Sequence, residues 1–395
     1  MSAGDVAPRQ PRVPLWNNPA VRGAIWQAAL LVALVYLAWN AVENAAANMR
    51  ARNIPTSFDF WNNTAGFDVN QTLIEFSAVS TYGRAFLVGL LNTLLVAGVG
   101  VVLATIVGFI VGIARLSTNW IVAKLATIYV ETIRNVPLLL QLLFWYNAVL
   151  APLPLPRGSI SIFDVAFLNN RGLVLPEPKF SEGAVWIAVA LAAAIVAAVV
   201  YALYARAAQR ETGAQKPVGL VAAALIVGLP VAVYFLLGRP LSFELPVLRG
   251  FNFGNGVQVR PEFVALVLGL VLYTASFIAE IVRAGIQSVP RGQIEAAHAL
   301  GLRTGATLKL VTIPQAMRVI TPPLTNQYLN LTKNSSLAVF IGYPDLVQVF
   351  MGTVLNQTGA AVQVIAITMA VYLVISLSTS LLMDIYNRRM SLRER

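Results

Sequence analysis

Cysteine is absent from this 395-residue chain, and histidine occurs only once, as His298. The absence of cysteine excludes disulfides, thiolate metal ligands and cysteine nucleophiles. A single histidine leaves no histidine cluster for a metal ion and no partner for a catalytic triad. The sequence therefore predicts no metal site built from histidine or cysteine and no catalytic triad.

Charged residues are also scarce. They make up 11% of the chain, against about a quarter of a typical soluble protein, while hydrophobic residues make up 57%. The net charge of +11 comes from Lys and Arg that lie between apolar blocks rather than in a basic domain. This composition predicts a polytopic membrane protein and argues against a nucleic-acid partner.

Long apolar runs predict an all-α fold with about eight transmembrane helices. The predicted spans cover residues 24–41, 85–114, 121–150, 184–204, 218–237, 263–282, 320–350 and 361–385. The second, third and seventh are too long for one perpendicular helix. Prolines mark the predicted breaks, at Pro137, Pro322, Pro323 and Pro344.

Lys and Arg are about twice as frequent in the loops on the side of both termini as in the loops on the other side. The positive-inside rule therefore predicts that both termini are cytoplasmic. No cleavable signal peptide is evident, because the first apolar block is long enough to span the membrane.

Three segments are predicted. Residues 1–84 hold the first span and a polar periplasmic loop, residues 85–386 form the transport domain, and residues 387–395 form a basic cytoplasmic tail. A helical hairpin, within about 152–260, interrupts the transport domain and has few polar residues, which is typical of lipid-facing spans. The flanking spans, in contrast, contain polar residues at membrane depth. Such residues are costly there and tend to face the bundle interior or a water-filled path, so function is expected in these spans.

The loop after residue 290 has a helix–turn–helix pattern. Pro290 suits a helix start, and Gly301 suits the left-handed residue just past a helix end. Thr304 is predicted to cap a second short helix, which Pro314 would interrupt. Such a short helix between spans is expected to dock on a partner.

The same stretch resembles the EAA loop of ABC importer permeases. Glu295-Ala296-Ala297 is followed by three residues, Gly301, nine residues and Val311-Thr312-Ile313-Pro314. Segments 129–141, 279–290, 314–318 and 333–337 are similar to those of the polar amino-acid subfamily, with Asn135, Asn334 and Ser335 departing from its pattern. The extra first span and the inserted hairpin look like the longer permease of general L-amino-acid importers.

The resemblance implies a type I ABC importer fold and a pathway-forming permease subunit in the bacterial inner membrane. Its expected partners are a cytoplasmic ABC ATPase dimer, a second permease that makes a heterodimer, and a periplasmic amino-acid-binding protein. ATP would bind to the ATPase, since no Gly-Lys dipeptide of a phosphate loop occurs here. The chain itself is expected to hold no cofactor. The implied ATPase-coupling residues are Glu295, Ala296, Ala297, Gly301 and Pro314.

Other polar residues at membrane depth are candidates for the substrate pathway or for structural roles. The pathway candidates are Thr274, Ser276, Asn326 and Asn330. Glu131 and Arg134 are three residues apart on one helix face and are predicted to pair, which is a structural role. Lys333 either shapes the pathway or snorkels towards the interface.

Three rival functions follow from the residues alone. An ion-coupled secondary amino-acid transporter would use Glu280 and Asp345 as ion sites. An ion channel would need a filter-like repeat, and none is evident in the sequence. A membrane-embedded enzyme would have only isolated carboxylates as acid–base residues, without a histidine or metal partner.

Overall fold

The computed structural model describes residues 19–52, 54, 55, 57–213 and 216–390. Most of this chain is helical, as the sequence predicts. The helices are α1 (Pro19–Ala51), α2 (Tyr82–Ala114), α3 (Trp120–Asn135), α4 (Leu138–Leu143), α5 (Val185–Thr212), α6 (Val218–Leu236), α7 (Pro261–Gln287), α8 (Arg291–Ala299), α9 (Thr304–Thr307), α10 (Ile313–Asn334), α11 (Leu355–Thr358) and α12 (Ala361–Met390). Three π-helical segments extend them, at Phe144–Leu150, Leu308–Thr312 and Val347–Val354. Short 3₁₀-helical segments lie at Asp59–Asn62, Pro156–Gly158 and Ser335–Ile341.

Six helices in the described part of the chain are long and apolar enough to cross a membrane: α1, α2, α5, α6, α7 and α12. The other two predicted spans are not single helices. The predicted span at 121–150 is broken between α3 and α4. Within the predicted span at 320–350, the α-helix ends at Asn334 and the chain turns at residues 342–345. The predicted count of about eight spans is therefore not confirmed.

The four prolines expected to break these spans behave differently. Pro137 separates α3 from α4, and Pro344 lies in the turn after Gly342, as predicted. Pro322 and Pro323 lie inside α10, which continues through them, so these two predicted breaks are wrong. Both side chains are exposed, and helices of membrane proteins tolerate proline where the freed carbonyls find other partners.

Among the described helices, α2 and α7 have the most extensive contact. Small residues spaced four apart, Gly100, Ala104, Gly108 and Gly112, run along the buried face of α2. A Cβ on Gly108 would lie 2.6 Å from the Ile278 side chain, and one on Gly112 would lie 2.8 Å from the Ala279 carbonyl oxygen. Backbones come this close only where side chains are absent, which is the small-residue packing of membrane helices.

A buried polar cluster holds the turn around Pro344 against α2. Asn92 is fully buried and donates from Nδ2 to the carbonyl oxygen of Pro344 at 2.8 Å. The Thr93 hydroxyl accepts from the Leu346 amide at 3.0 Å. The Asp345 carboxylate accepts from the Gln348 amide at 2.8 Å, near the start of the following π-helix, and from the Tyr372 hydroxyl at 3.3 Å. These bonds satisfy backbone groups that the interrupted helix leaves free.

The region around the inserted hairpin contains eight short strands, which the sequence analysis did not predict. They are β1 (Ile160–Ile162), β2 (Ala166–Asn169), β3 (Gly172–Leu175), β4 (Glu177–Phe180), β5 (Leu241–Glu244), β6 (Val247–Arg249), β7 (Asn252–Gly254) and β8 (Val257–Val259). One antiparallel sheet has the order β1-β2-β3-β8, and β4–β5 and β6–β7 form two further ribbons. β3 contacts α7, whereas α5 and α6 pack mainly on each other.

Candidate functional site: the α8–α9 loop and the exposed face of α10

The loop between α7 and α10 is built as the sequence predicts at its centre. Pro290 takes the N-cap position of the nine-residue helix α8, and Gly301 adopts a φ of +77° just past the helix end. The Leu302 amide donates to the Ala297 carbonyl at 3.1 Å, and the Gly301 amide donates to that of His298 at 2.9 Å. This pair of bonds is a Schellman motif, which ends the helix and requires the left-handed residue.

One side of the loop is anchored and the other is free. Val289 and Ala297 are buried, and Val289 belongs to the hydrophobic core between α2, α7 and α10. Glu295 and Ala296 are exposed, and the Glu295 side chain makes no hydrogen bond or ion pair within the described residues. Leu300 is 82% exposed at the tip of the turn. The free side therefore combines a carboxylate with an apolar tip, which suits docking rather than internal packing.

The second half of the loop differs from the prediction. Thr304 is the first residue of α9 rather than its cap, and the cap position, taken by Arg303, has no side-chain hydrogen bond. Pro314 does not interrupt the helix, because it lies in the first turn of α10 directly after the π-helical segment Leu308–Thr312. A proline needs no amide partner there, and the wider π turn makes room for its ring.

Sequence reasoning missed the apolar residues that extend the free side of the loop. Leu308 and Leu310 are 50% and 63% exposed on the π segment, beyond Leu300. The sequence signal that could have indicated this apolar surface is the set of leucines in an otherwise polar loop.

An ion-pair network joins α2 to α7 next to this loop. The Glu280 carboxylate accepts from Arg115 Nη1 and from Arg283 Nη2. Arg283 Nη1 also donates to Gln287 Oε1 at 2.7 Å. Because two guanidinium groups pair with the Glu280 carboxylate, Glu280 links α2 to α7 and has a structural role. It is not a free carboxylate that could carry an ion.

The four pathway candidates fall into two groups. Thr274 and Ser276 are 3% and 0% exposed inside the packing of α7. Asn326 and Asn330 are exposed on α10, and Lys333 continues the same face one turn further on. The structure thus brings Asn326, Asn330 and Lys333 to one face and leaves the other two candidates away from it.

Lys333 also borders a cavity of about 600 Å³ between the end of α10 and α12. Ser336, Tyr372 and Ser376 line it together with apolar side chains such as Met351 and Met369. The Lys333 side chain is therefore exposed to an open, mainly apolar groove.

The predicted Glu131–Arg134 pair is absent among the described ion pairs. Arg134 instead lies over the Phe277 ring, with its guanidinium carbon 4.8 Å from the ring centre, which ties α3 to α7 by a cation–π contact. Glu131 is exposed, and its backbone carbonyl accepts from Asn135 Nδ2 at 2.6 Å. At this exposed site a three-residue spacing alone did not fix the rotamers.

Known proteins that are similar to this chain are components of transport systems. The family described as "binding-protein-dependent transport system inner membrane component" matches residues 255–392. The chain is 52% identical over 378 residues to a putative amino-acid ABC transporter permease of Escherichia coli, YhdX, covering 96% of both proteins. It is 50% identical over 378 residues to the general L-amino acid transport system permease AapQ of Rhizobium johnstonii, covering 96% of this chain and 94% of that one. A crystal structure of an amino acid ABC transporter aligns with a TM-score of 0.47 at 22% identity, covering 78% of this chain and 95% of that one.

These near-full-length similarities define an inner-membrane permease of the ABC transporter class, a multi-pass component that works with an ATPase and other subunits and is not itself an enzyme. Within that class, the chain belongs to the family of amino-acid ABC transporter permeases. The ion-coupled alternative is not supported.

Proposed function

We propose that this permease forms the pathway by which an ATP-driven importer carries amino acids across the inner membrane. The relatives named above are described as amino-acid permeases, which supports the substrate class. The observation that carries the coupling role is the α8–Gly301 turn, which is anchored through Val289 and presents Glu295 and Leu300 outward. In this proposal Ala296 and Ala297 keep the helix narrow, and Pro314 fixes the start of α10.

The exposed face of α10 is the proposed pathway surface. Asn326, Asn330 and Lys333 are polar and would be costly against lipid, so this face needs water or a second permease over it. We assign the partner a heterodimeric arrangement, because the additional span α1 and the inserted hairpin are features of the longer of two permeases. Thr274 and Ser276 support the pathway from within the α7 packing.

The proposed topology puts the α8–α9 loop and both termini in the cytoplasm. The terminal residues 1–18 and 391–395 lie outside the described residues, so the support comes from the loop arginines and lysines. Residues 1–84 and the insert at about 152–260 would be additions to a transport domain at 85–386, followed by a basic tail at 387–395. A periplasmic amino-acid-binding protein delivers the substrate, and a cytoplasmic ATPase dimer binds ATP.

The test is reconstitution of the complete transporter in proteoliposomes. We expect uptake of labelled amino acids only when ATP, the ATPase and the binding protein are all present. Uptake driven by a proton or sodium gradient without ATP would contradict the proposal.

A further inference from the structure

The insert sheet, β1-β2-β3-β8, lies at the opposite end of α7 from the α8–α9 loop. β3 and β8 precede the start of α7 at Pro261, and the loop follows its end at Gln287. A helix of 27 residues is about 40 Å long, which is enough to separate the two sides of a membrane. The insert sheet is therefore on the side from which an imported substrate arrives.

Three arginines surround the β6–β7 ribbon beside this sheet. Arg157 donates from Nε to the Gly250 carbonyl at 3.2 Å and lies over the Phe251 ring, 4.3 Å from its centre. Arg171 donates from Nη1 to Asn252 Oδ1. Arg249 ends β6 and folds over Gly254 on the paired strand. Arg157, Arg171, Arg249 and Phe251 are called the arginine face below.

The charge of this face is not compensated within the described part of the chain. None of the three arginines forms an ion pair there. Asp164 bonds to Ser161 in the β1–β2 turn, at the end of β2 opposite from Arg171. Glu244 pairs with Lys179 on the separate β4–β5 ribbon. The arginine face therefore has a positive charge that calls for an acidic partner.

The chemistry of the face fits a protein partner. Phe251 is 74% exposed at the tip of the β6–β7 turn, and all three arginines are exposed. Arginine and aromatic side chains are enriched at the energetic centres of protein interfaces. Arg157 is already held flat on Phe251, so less side-chain entropy is lost on binding.

We propose that the arginine face docks an acidic surface of the substrate-binding protein. This inference rests on the proposed import function, and the matching family is described as binding-protein-dependent. The insert then has a role of its own, since complementary charge speeds encounter and sets the orientation in which the binding protein reaches the pathway.

The experiment titrates binding protein against the complete transporter in nanodiscs and measures stimulated ATP hydrolysis. The triple variant Arg157→Glu, Arg171→Glu, Arg249→Glu is expected to raise the half-maximal binding-protein concentration about tenfold or more, while basal hydrolysis is unchanged. Arg249→Glu alone, which breaks no described hydrogen bond, is expected to raise it about threefold. Added salt should weaken the wild type more than the triple variant.

Arg239→Glu is the matched control, because Arg239 lies over Phe235 at the end of α6, outside the arginine face. It should leave the titration unchanged. An unchanged titration for the triple variant would overturn the inference, whereas failure of any binding protein to stimulate the wild type would overturn the proposed function. Reduced binding to anionic phospholipid vesicles with an unchanged titration would assign the face to lipid and also overturn the inference.

Discussion

Replacing Gly301 with valine tests the coupling role of the α8–α9 loop most directly. Gly301 has a φ of +77°, and a Cβ built on it meets no atom within 4 Å. The substitution therefore costs only backbone strain, about 1–3 kcal/mol for a side chain in the left-handed region. The buried core is untouched, so we expect the variant to insert and assemble normally.

The same strain is large for the loop itself. A cost of about 1–3 kcal/mol lowers the population of the Schellman turn about five- to 150-fold relative to alternative turns. Loss of the turn misorients Leu300, the exposed tip. We expect substrate-stimulated ATP hydrolysis in nanodiscs to fall about tenfold, with basal hydrolysis by the ATPase retained.

Two variants separate backbone strain from a general effect of substitution. Gly301→Asn should be milder, because asparagine tolerates the left-handed region better than a β-branched residue. Gly292→Val is the matched control, since Gly292 is also in open space but lies in the right-handed first turn of α8. If valine at position 301 leaves coupled hydrolysis at the wild-type level, the loop is not the coupling element.

Three further outcomes are expected. Gly108→Leu should lower the melting temperature and the yield of assembled transporter, because a Cβ there lies 2.6 Å from the Ile278 side chain, whereas Gly98→Leu, in open space on the same helix, should not. Asn330→Leu should weaken the apparent substrate affinity in uptake assays about five- to 100-fold without changing basal hydrolysis, and Asn330→Gln should keep more activity; equal uptake by both would remove Asn330 from the pathway. Single cysteines at Phe163, which is 94% exposed, and at Arg303 should react with an impermeant reagent only from outside and only from inside, respectively, and the reverse pattern would invert the topology.

Much of the fold follows from hydropathy and local rules. The long apolar runs predict α2, α7 and α12, and a glycine after a short helix predicts the turn at Gly301, because these depend only on the nearby sequence. The break at Pro137 was found for the same reason.

Other features depended on distant residues. The strands of the insert are three or four residues each and alternate too briefly to be distinguished from loop by periodicity. The continuation of α10 through Pro322 depends on the surrounding structure. Arg134 contacts the Phe277 ring on another helix rather than its neighbour Glu131. One of the two partners of Glu280, Arg115, is likewise 165 residues away along the chain.

The close packing of α2 on α7 has a mechanical consequence. With Gly108 and Gly112 pressed against α7, a sliding step would drive a helix backbone into a neighbouring side chain, and the Arg115–Glu280 ion pair resists rotation near the end of the same seam. The two helices are therefore expected to move as one rigid unit. A displacement of the loop at one end of α7 is therefore expected to carry α2 with it and to reach strand β8, which directly precedes α7 at the other end.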